Sequence, residues 1–178
     1  NVDTTTSSII DDIDNKNEDI LKDNSNINER VDEDENWSKM SVIDLHIAFW
    51  ESSREGDLST VKRMLSKNLI TIDYENEYGW TALLFASASS QAPVVKLLLD
   101  QGADVHHRER DGWSSLMFAA HQGHLDTINN LILYGASPLD TASNGLSVVD
   151  AAMLKENYQD EIVSMLTAHG LKSALEAH

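Results

Sequence analysis

The chain has 178 residues, 41% of them hydrophobic, no cysteine, and a formal net charge of −17. This composition supports one folded core, and it excludes a disulfide framework and a cysteine-ligated metal site. Phosphate groups repel so acidic a surface, and the longest apolar runs fall far short of the about 20 residues of a membrane helix. We therefore expect no nucleic-acid partner, no membrane insertion and a location inside the cell, in the cytoplasm or the nucleus.

The first 36 residues carry much of the negative charge. They contain twelve acidic and three basic residues, many Asn and Ser residues, and no aromatic residue. Such a segment buries too little apolar surface to offset its ordering entropy, so residues 1–36 are predicted to form a disordered acidic tail. An isoleucine-rich island at Ser7–Ile13 could add as a strand to a partner's sheet, although a solvated tail is the favoured interpretation.

Residues of the same type recur at intervals of 33 further along the chain. A turn glycine recurs at Gly79, Gly112 and Gly145, and a hydroxyl residue follows two positions later at Thr81, Ser114 and Ser147. An alanine recurs at Ala86, Ala119 and Ala152. Glycine tolerates the positive φ of a tight turn, and a hydroxyl can cap the first amides of a helix. Several positions that share one period indicate an array of structural repeats.

The segment from Gly112 to Leu125, GWSSLMFAAHQGHL, continues to a Leu-Ile-Leu-Tyr-Gly-Ala run and resembles an ankyrin repeat. The preceding unit from Gly79 to Arg110 resembles a second one and contains the turn Gly102-Ala-Asp-Val105. The resemblance implies a mainly α solenoid of about four units, each a helix-turn-helix with a β-hairpin. We expect this domain to cover 37–178, with units near 45–75, 76–108, 109–141 and 142–170 and then a C-terminal helical extension. The first and last units are degenerate, as end repeats commonly are.

The resemblance also implies where a partner would bind. Hairpin tips and the exposed side of the first helices line a concave groove in such arrays. The corresponding residues form the predicted partner-binding groove: Tyr78, Trp80, Arg110, Asp111, Trp113, His121, Gln122, Asn144 and Leu146. Trp80, Trp113 and Leu146 stand at one position in successive repeats, so they are expected to form an exposed ladder along the groove edge. In the alternative, each indole packs on the neighbouring hairpin and only stiffens the stack.

Catalytic and metal-binding patterns are absent from the sequence. His121 and His124 have a two-ligand spacing, but no third ligand shares their register, and the resemblance assigns His124 to a turn. We therefore predict no enzyme activity, no cofactor and no metal. The expected function is a non-catalytic protein-interaction module, an ankyrin-type adaptor or scaffold that is monomeric apart from its partner. Two alternatives stay open: an acidic escort or inhibitor that shields a basic client, and a regulatory or substrate-recruiting domain of a larger enzyme.

Overall fold

The structure, a computed structural model, describes residues 37–154 and 160–176, with side chains described as far as residue 170. The predicted tail, 1–36, and its island at Ser7–Ile13 lie outside the described residues. Residues 37–41 belong to a separate unit from Val42–His178 and form one turn, in which the amide of Met40 donates to the carbonyl of Trp37 over 3.3 Å.

The described part of Val42–His178 is helical, which confirms the predicted mainly α fold class. Its eight helices come in pairs along the chain: α1 Val42–Glu55 and α2 Leu58–Ser66, α3 Ala82–Ala88 and α4 Ala92–Asp100, α5 Ser115–Gln122 and α6 Leu125–Leu133, α7 Val148–Met153 and α8 Asp160–Glu176. The predicted C-terminal extension is the continuation of α8, since this helix runs unbroken through Gly170 to Glu176.

The helices stack in two layers. In one layer α1 packs on α3, α3 on α5 and α5 on α7, and in the other α2 packs on α4 and α4 on α6. Ala86 and Ala119 in the first helices and Val94, Leu98 and Leu131 in the second helices are fully buried. Each helix pair thus buries its apolar face against its neighbours, as expected of a repeat array.

The recurring glycine and hydroxyl residues have the predicted roles. Gly79, Gly112 and Gly145 have φ values of 81°, 85° and 83° and stand in the turns before α3, α5 and α7. Two residues after each glycine, a side-chain oxygen caps the next helix, and the hydroxyl of Ser114 accepts from the amide of Met117 over 3.4 Å. This turn-and-cap pair fixes where each first helix begins.

Candidate functional site

Three hairpins project from the array, one before each of α3, α5 and α7. We number them by their residues: hairpin 1 is 76–80, hairpin 2 is 109–113 and hairpin 3 is 142–146. In each hairpin the first amide donates to the last carbonyl, over 3.0, 3.1 and 2.8 Å respectively. The glycine amide then donates back to the first carbonyl, over 3.0, 2.9 and 2.9 Å. The three hairpins therefore share one backbone conformation.

A side chain inside the turn clamps hairpins 1 and 2. In hairpin 1, Oδ1 of Asn76 accepts from the amides of Tyr78 and Trp80, both over 2.9 Å. In hairpin 2, the buried carboxylate of Glu109 accepts from the amides of Asp111 and Trp113, also over 2.9 Å. Hairpin 3 has Ala142 at this position, which carries no acceptor, so its turn lacks the clamp. The sequence pattern did not indicate this clamp, because Asn76, Glu109 and Ala142 share no chemical type.

The two indoles of the predicted ladder are buried. Trp80 is 4% exposed and Trp113 is 2% exposed, so the prediction of an exposed ladder is wrong for both. The Trp80 ring lies between Phe85 of its own repeat and Phe118 of the next, with ring centroids 5.0 and 4.7 Å away. Trp113 packs on Phe118 in the same way, at 5.0 Å. Their burial agrees with the alternative interpretation that the indoles stiffen the stack, but that interpretation placed each indole on the neighbouring hairpin, and the ring contacts are with phenylalanines of α3 and α5.

The row of packed rings continues towards the N-terminal end of the array. Trp50 of α1 lies 6.0 Å from Phe85 and 6.1 Å from Tyr74, and the ring of His46 lies 4.0 Å from Tyr74. His46 is 2% exposed, and its Nε2 accepts from the amide of Thr71 over 3.1 Å. Tyr74 is 37% exposed, whereas the three indoles in the described part of the array, Trp50, Trp80 and Trp113, are buried and are not on its surface.

Backbone hydrogen bonds hold neighbouring hairpin tips in register. The amide of Arg110 donates to the carbonyl of Tyr78 over 3.1 Å, and one repeat later the amide of Ser143 donates to the carbonyl of Asp111 over 3.0 Å. The tips of hairpins 1, 2 and 3 therefore form a continuous edge.

Side chains add further links between the hairpins. The imidazole of His107 donates to the carbonyl of Gly79 over 2.8 Å. The guanidinium of Arg108 donates to the carbonyl of Thr141 over 2.6 Å and forms an ion pair of 2.7 Å with Asp140. The edge formed by the tips is consequently braced on both sides of hairpin 2.

The remaining predicted groove residues divide by exposure. Arg110, Asp111 and Asn144 are exposed at the tips, whereas Tyr78 and Leu146 are half-buried. On α5, Gln122 is half-buried, and His121 is buried, with its Nδ1 3.3 Å from the carbonyl of Ala151 and its ring edge-on to Trp113. The structure thus brings together a polar row at the tips and places His121 with the interior rings. We call Tyr78, Arg110, Asp111 and Asn144 the tip row.

A family model for ankyrin repeats in three copies matches residues 15–109, 45–142 and 94–175. The chain belongs to the ankyrin-repeat family. The first match begins within the segment predicted as a tail, and that part of it lies outside the described residues.

Relatives of this ankyrin-repeat chain are similar over part of their length. It is 41% identical over 66 residues to an ankyrin repeat protein of Acanthamoeba polyphaga mimivirus. The matched segment covers 35% of this chain and 10% of that protein. It is 38% identical over 56 residues to the ankyrin repeat, SAM and basic leucine zipper domain-containing protein 1 of Saimiri boliviensis boliviensis, covering 32% and 12%. It is 36% identical over 90 residues to the protein phosphatase 1 regulatory subunit 27 of Mus musculus, covering 51% and 58%. The chain therefore spans between a tenth and just over half of these proteins.

The described residues of this ankyrin array bear on metal binding and on membrane insertion. Among them, no group of three or more His, Cys, Asp or Glu side chains is placed to hold a metal ion. None of the helices in the same part of the chain has both the length and the apolar character needed to cross a membrane. Ankyrin repeats are protein-interaction modules.

Proposed function

We propose that this ankyrin array is a non-catalytic adaptor that binds a protein partner along the tip row. One observation carries the proposal. The backbone bonds from Arg110 to Tyr78 and from Ser143 to Asp111 fix successive tips in register, while Arg110, Asp111 and Asn144 stay exposed. A surface that is ordered before binding loses less conformational entropy when the partner docks.

Because Trp80 and Trp113 are buried, the proposed binding surface does not include the two indoles that the sequence predicted to line it. The proposed contacts with a partner come instead from the exposed polar side chains of the tips. Arg110 offers a guanidinium that can hold a carboxylate in a bidentate pair, and Asp111 offers an acceptor beside it. Half-buried Tyr78, Leu146 and Gln122 supply apolar and amide surface at the margin of the row. The proposed specificity is therefore set by paired charges and not by an aromatic ladder.

The overall charge adds a second property to the proposed partner. With a formal net charge of −17, the chain attracts a basic protein at long range. We propose a basic partner, one copy of this chain per complex and an intracellular location. If the chain is instead an acidic escort, its affinity falls steeply between low and moderate salt, because screening shortens the range of the attraction.

A double substitution tests the tip row. Arg110→Ala with Asp111→Ala removes one positive and one negative charge from the tips and leaves the net charge unchanged. Lys62→Ala with Asp126→Ala makes the same change at exposed positions of α2 and α6, away from the hairpins, and serves as the matched control. Each tagged protein is used to capture partners from an extract of the cells that produce it, and the captured proteins are quantified by mass spectrometry.

The proposal predicts that a defined set of proteins is captured by the wild type and the control and is lost with the tip variant. Circular dichroism and the thermal midpoint must first show that both variants are folded. If the tip variant and the control capture the same proteins in equal amounts, the tip row is not the binding surface.

Similarity to a phosphatase regulatory subunit favours a second candidate function. The match to protein phosphatase 1 regulatory subunit 27 covers 51% of this chain and 58% of that protein. Under this proposal the array regulates a phosphatase by binding its catalytic subunit. Titration of the purified protein phosphatase 1 catalytic subunit into the full chain in a calorimeter tests it, and the absence of heat above the dilution blank would exclude it.

A further inference from the structure

Hairpin 3 contains the single Asn–Gly pair of the 178-residue chain, Asn144–Gly145. Both residues are exposed, and Gly145 has a φ of 83°. Among the described residues other than Asn144, Gly145 and Leu146, no heavy atom lies within 4 Å of the position that a Cβ on Gly145 would occupy. The Cα of Gly145 is thus bordered by open space on the side where other residues carry a side chain.

We propose that Asn144 is a site of spontaneous deamidation. The amide nitrogen of Gly145 attacks Cγ of Asn144 and gives up its proton to solvent, while the Cγ–Nδ2 bond breaks and Nδ2 takes up a proton from solvent and leaves as ammonia. Water then opens the resulting succinimide. Attack at Cγ yields aspartate, and attack at the main-chain carbonyl carbon yields isoaspartate. No enzyme or co-reactant other than water takes part, and the product carries a new negative charge at the tip row.

The closed turn opposes this reaction. The amide of Gly145 donates to the carbonyl of Ala142 over 2.9 Å, and Oδ1 of Asn144 accepts from the amide of Leu146 over 3.0 Å. Both bonds must break before the nitrogen can reach Cγ. The rate in the folded protein is therefore set by how often hairpin 3 opens.

Hairpin 2 offers the matched comparison, because Asp111–Gly112 stands at the same place in the turn. There the carboxylate of Glu109 bridges the amides of Asp111 and Trp113, and a Cβ on Gly112 would lie 2.7 Å from the amide nitrogen of Ser143. Hairpin 2 is thus clamped from inside and covered by the following hairpin.

Hairpin 3 lacks both the clamp from its first residue and the cover of a following hairpin within the described residues, although Oδ1 of Asn144 itself accepts from the amide of Leu146 over 3.0 Å. Ala142 supplies no acceptor to the amides of Asn144 and Leu146, and Gly145 has open space where Gly112 meets hairpin 3. The single Asn–Gly pair of the chain therefore lies in the hairpin whose first residue supplies no clamp.

The test is incubation of the full chain at neutral pH and physiological temperature, with peptide mapping by mass spectrometry at intervals. Conversion of an amide to a carboxyl is read at each asparagine by its mass gain, and isoaspartate is separated from aspartate by chromatography. Asn68 and Asn129 are internal controls, because both are exposed but are followed by Leu69 and Asn130 instead of glycine.

The decisive variant is Ala142→Asn, which gives hairpin 3 the residue that clamps hairpin 1 at Asn76. We expect Asn144 to convert before both controls in the wild type. The variant should slow conversion at Asn144 by roughly tenfold, the factor that corresponds to about 1.4 kcal/mol of added hairpin stability. The proposal is overturned if Asn144 converts no faster than Asn68 and Asn129, or if the folded variant converts at the wild-type rate.

Discussion

The indole of Trp80 packs against the ring of Phe118 in the next repeat, with 4.7 Å between the ring centroids. Because Trp80 belongs to hairpin 1 and Phe118 to α5, this contact joins the hairpin of one repeat to the first helix of the following one. Aromatic pairs of this kind contribute about 0.5–1.5 kcal/mol each beyond the area they bury. The pair therefore couples neighbouring units in an array whose stability depends on such interfaces.

Trp80→Ala should destabilise the array by about 3–5 kcal/mol, because it removes a buried indole and leaves a cavity between Phe85 and Phe118. Denaturant unfolding followed by circular dichroism measures the loss. Tyr78→Ala in the same hairpin is the control, since Tyr78 is half-buried, and we expect a smaller loss there. Equal midpoints for the wild type and Trp80→Ala would show that the contact does not stabilise the stack.

The sequence period predicted the turns, the caps and the buried alanines, because each of these roles requires a particular residue type. It could not decide which way the indoles face. An indole after the turn glycine has the same place in the pattern whether it is exposed or buried, and the deciding partners, Phe85 and Phe118, come from two different repeats. The hairpin clamp could not be predicted for a different reason. Asn76 and Glu109 accept equivalent backbone hydrogen bonds with different side chains, so no residue type recurs at this position.

Glu109→Ala should loosen hairpin 2. The change removes the carboxylate that accepts from the amides of Asp111 and Trp113, at a cost of about 1.5–3 kcal/mol for hydrogen bonds to a charged group. Hydrogen exchange at these two amides should accelerate, while the amide of Trp80 in hairpin 1 serves as the reference. Glu109→Asn should restore much of the protection, because Asn76 clamps hairpin 1 with an amide oxygen. If exchange at both amides is the same in wild type and Glu109→Ala, the clamp has no energetic role.

Glu51 on α1 should make the stability of the array depend on pH. Partial burial raises the pKa of this carboxyl above the ordinary value of 4.5, nearby Glu55 raises it further, and Arg54 partly opposes the shift. The folded state consequently binds the proton more tightly than the unfolded chain does, so ionised Glu51 lowers stability at neutral pH. Glu51→Gln should therefore raise the unfolding midpoint at neutral pH, and the gain should disappear as the pH falls below 4.5.

Removal of any negative charge from so acidic a chain reduces its self-repulsion, so the Glu51 experiment needs a matched change. Glu77→Gln at the tip of hairpin 1 removes one exposed carboxylate and supplies it. We expect the gain at neutral pH to be larger for Glu51→Gln than for Glu77→Gln. Equal gains would mean that net charge alone, and not the burial of Glu51, sets the effect.

Ala119→Glu should prevent folding. Ala119 is fully buried in α5, which packs against α3 on one side and α7 on the other, so a longer side chain would overlap its neighbours and bury an unpaired charge. Circular dichroism and the soluble yield measure the result. Gln122→Glu is the control, because it adds the same carboxylate to the half-buried end of the same helix and should leave the protein folded. A soluble, helical Ala119→Glu protein would show that the first helices do not stack closely at this alanine, and the repeat register derived from the period of 33 would then be wrong.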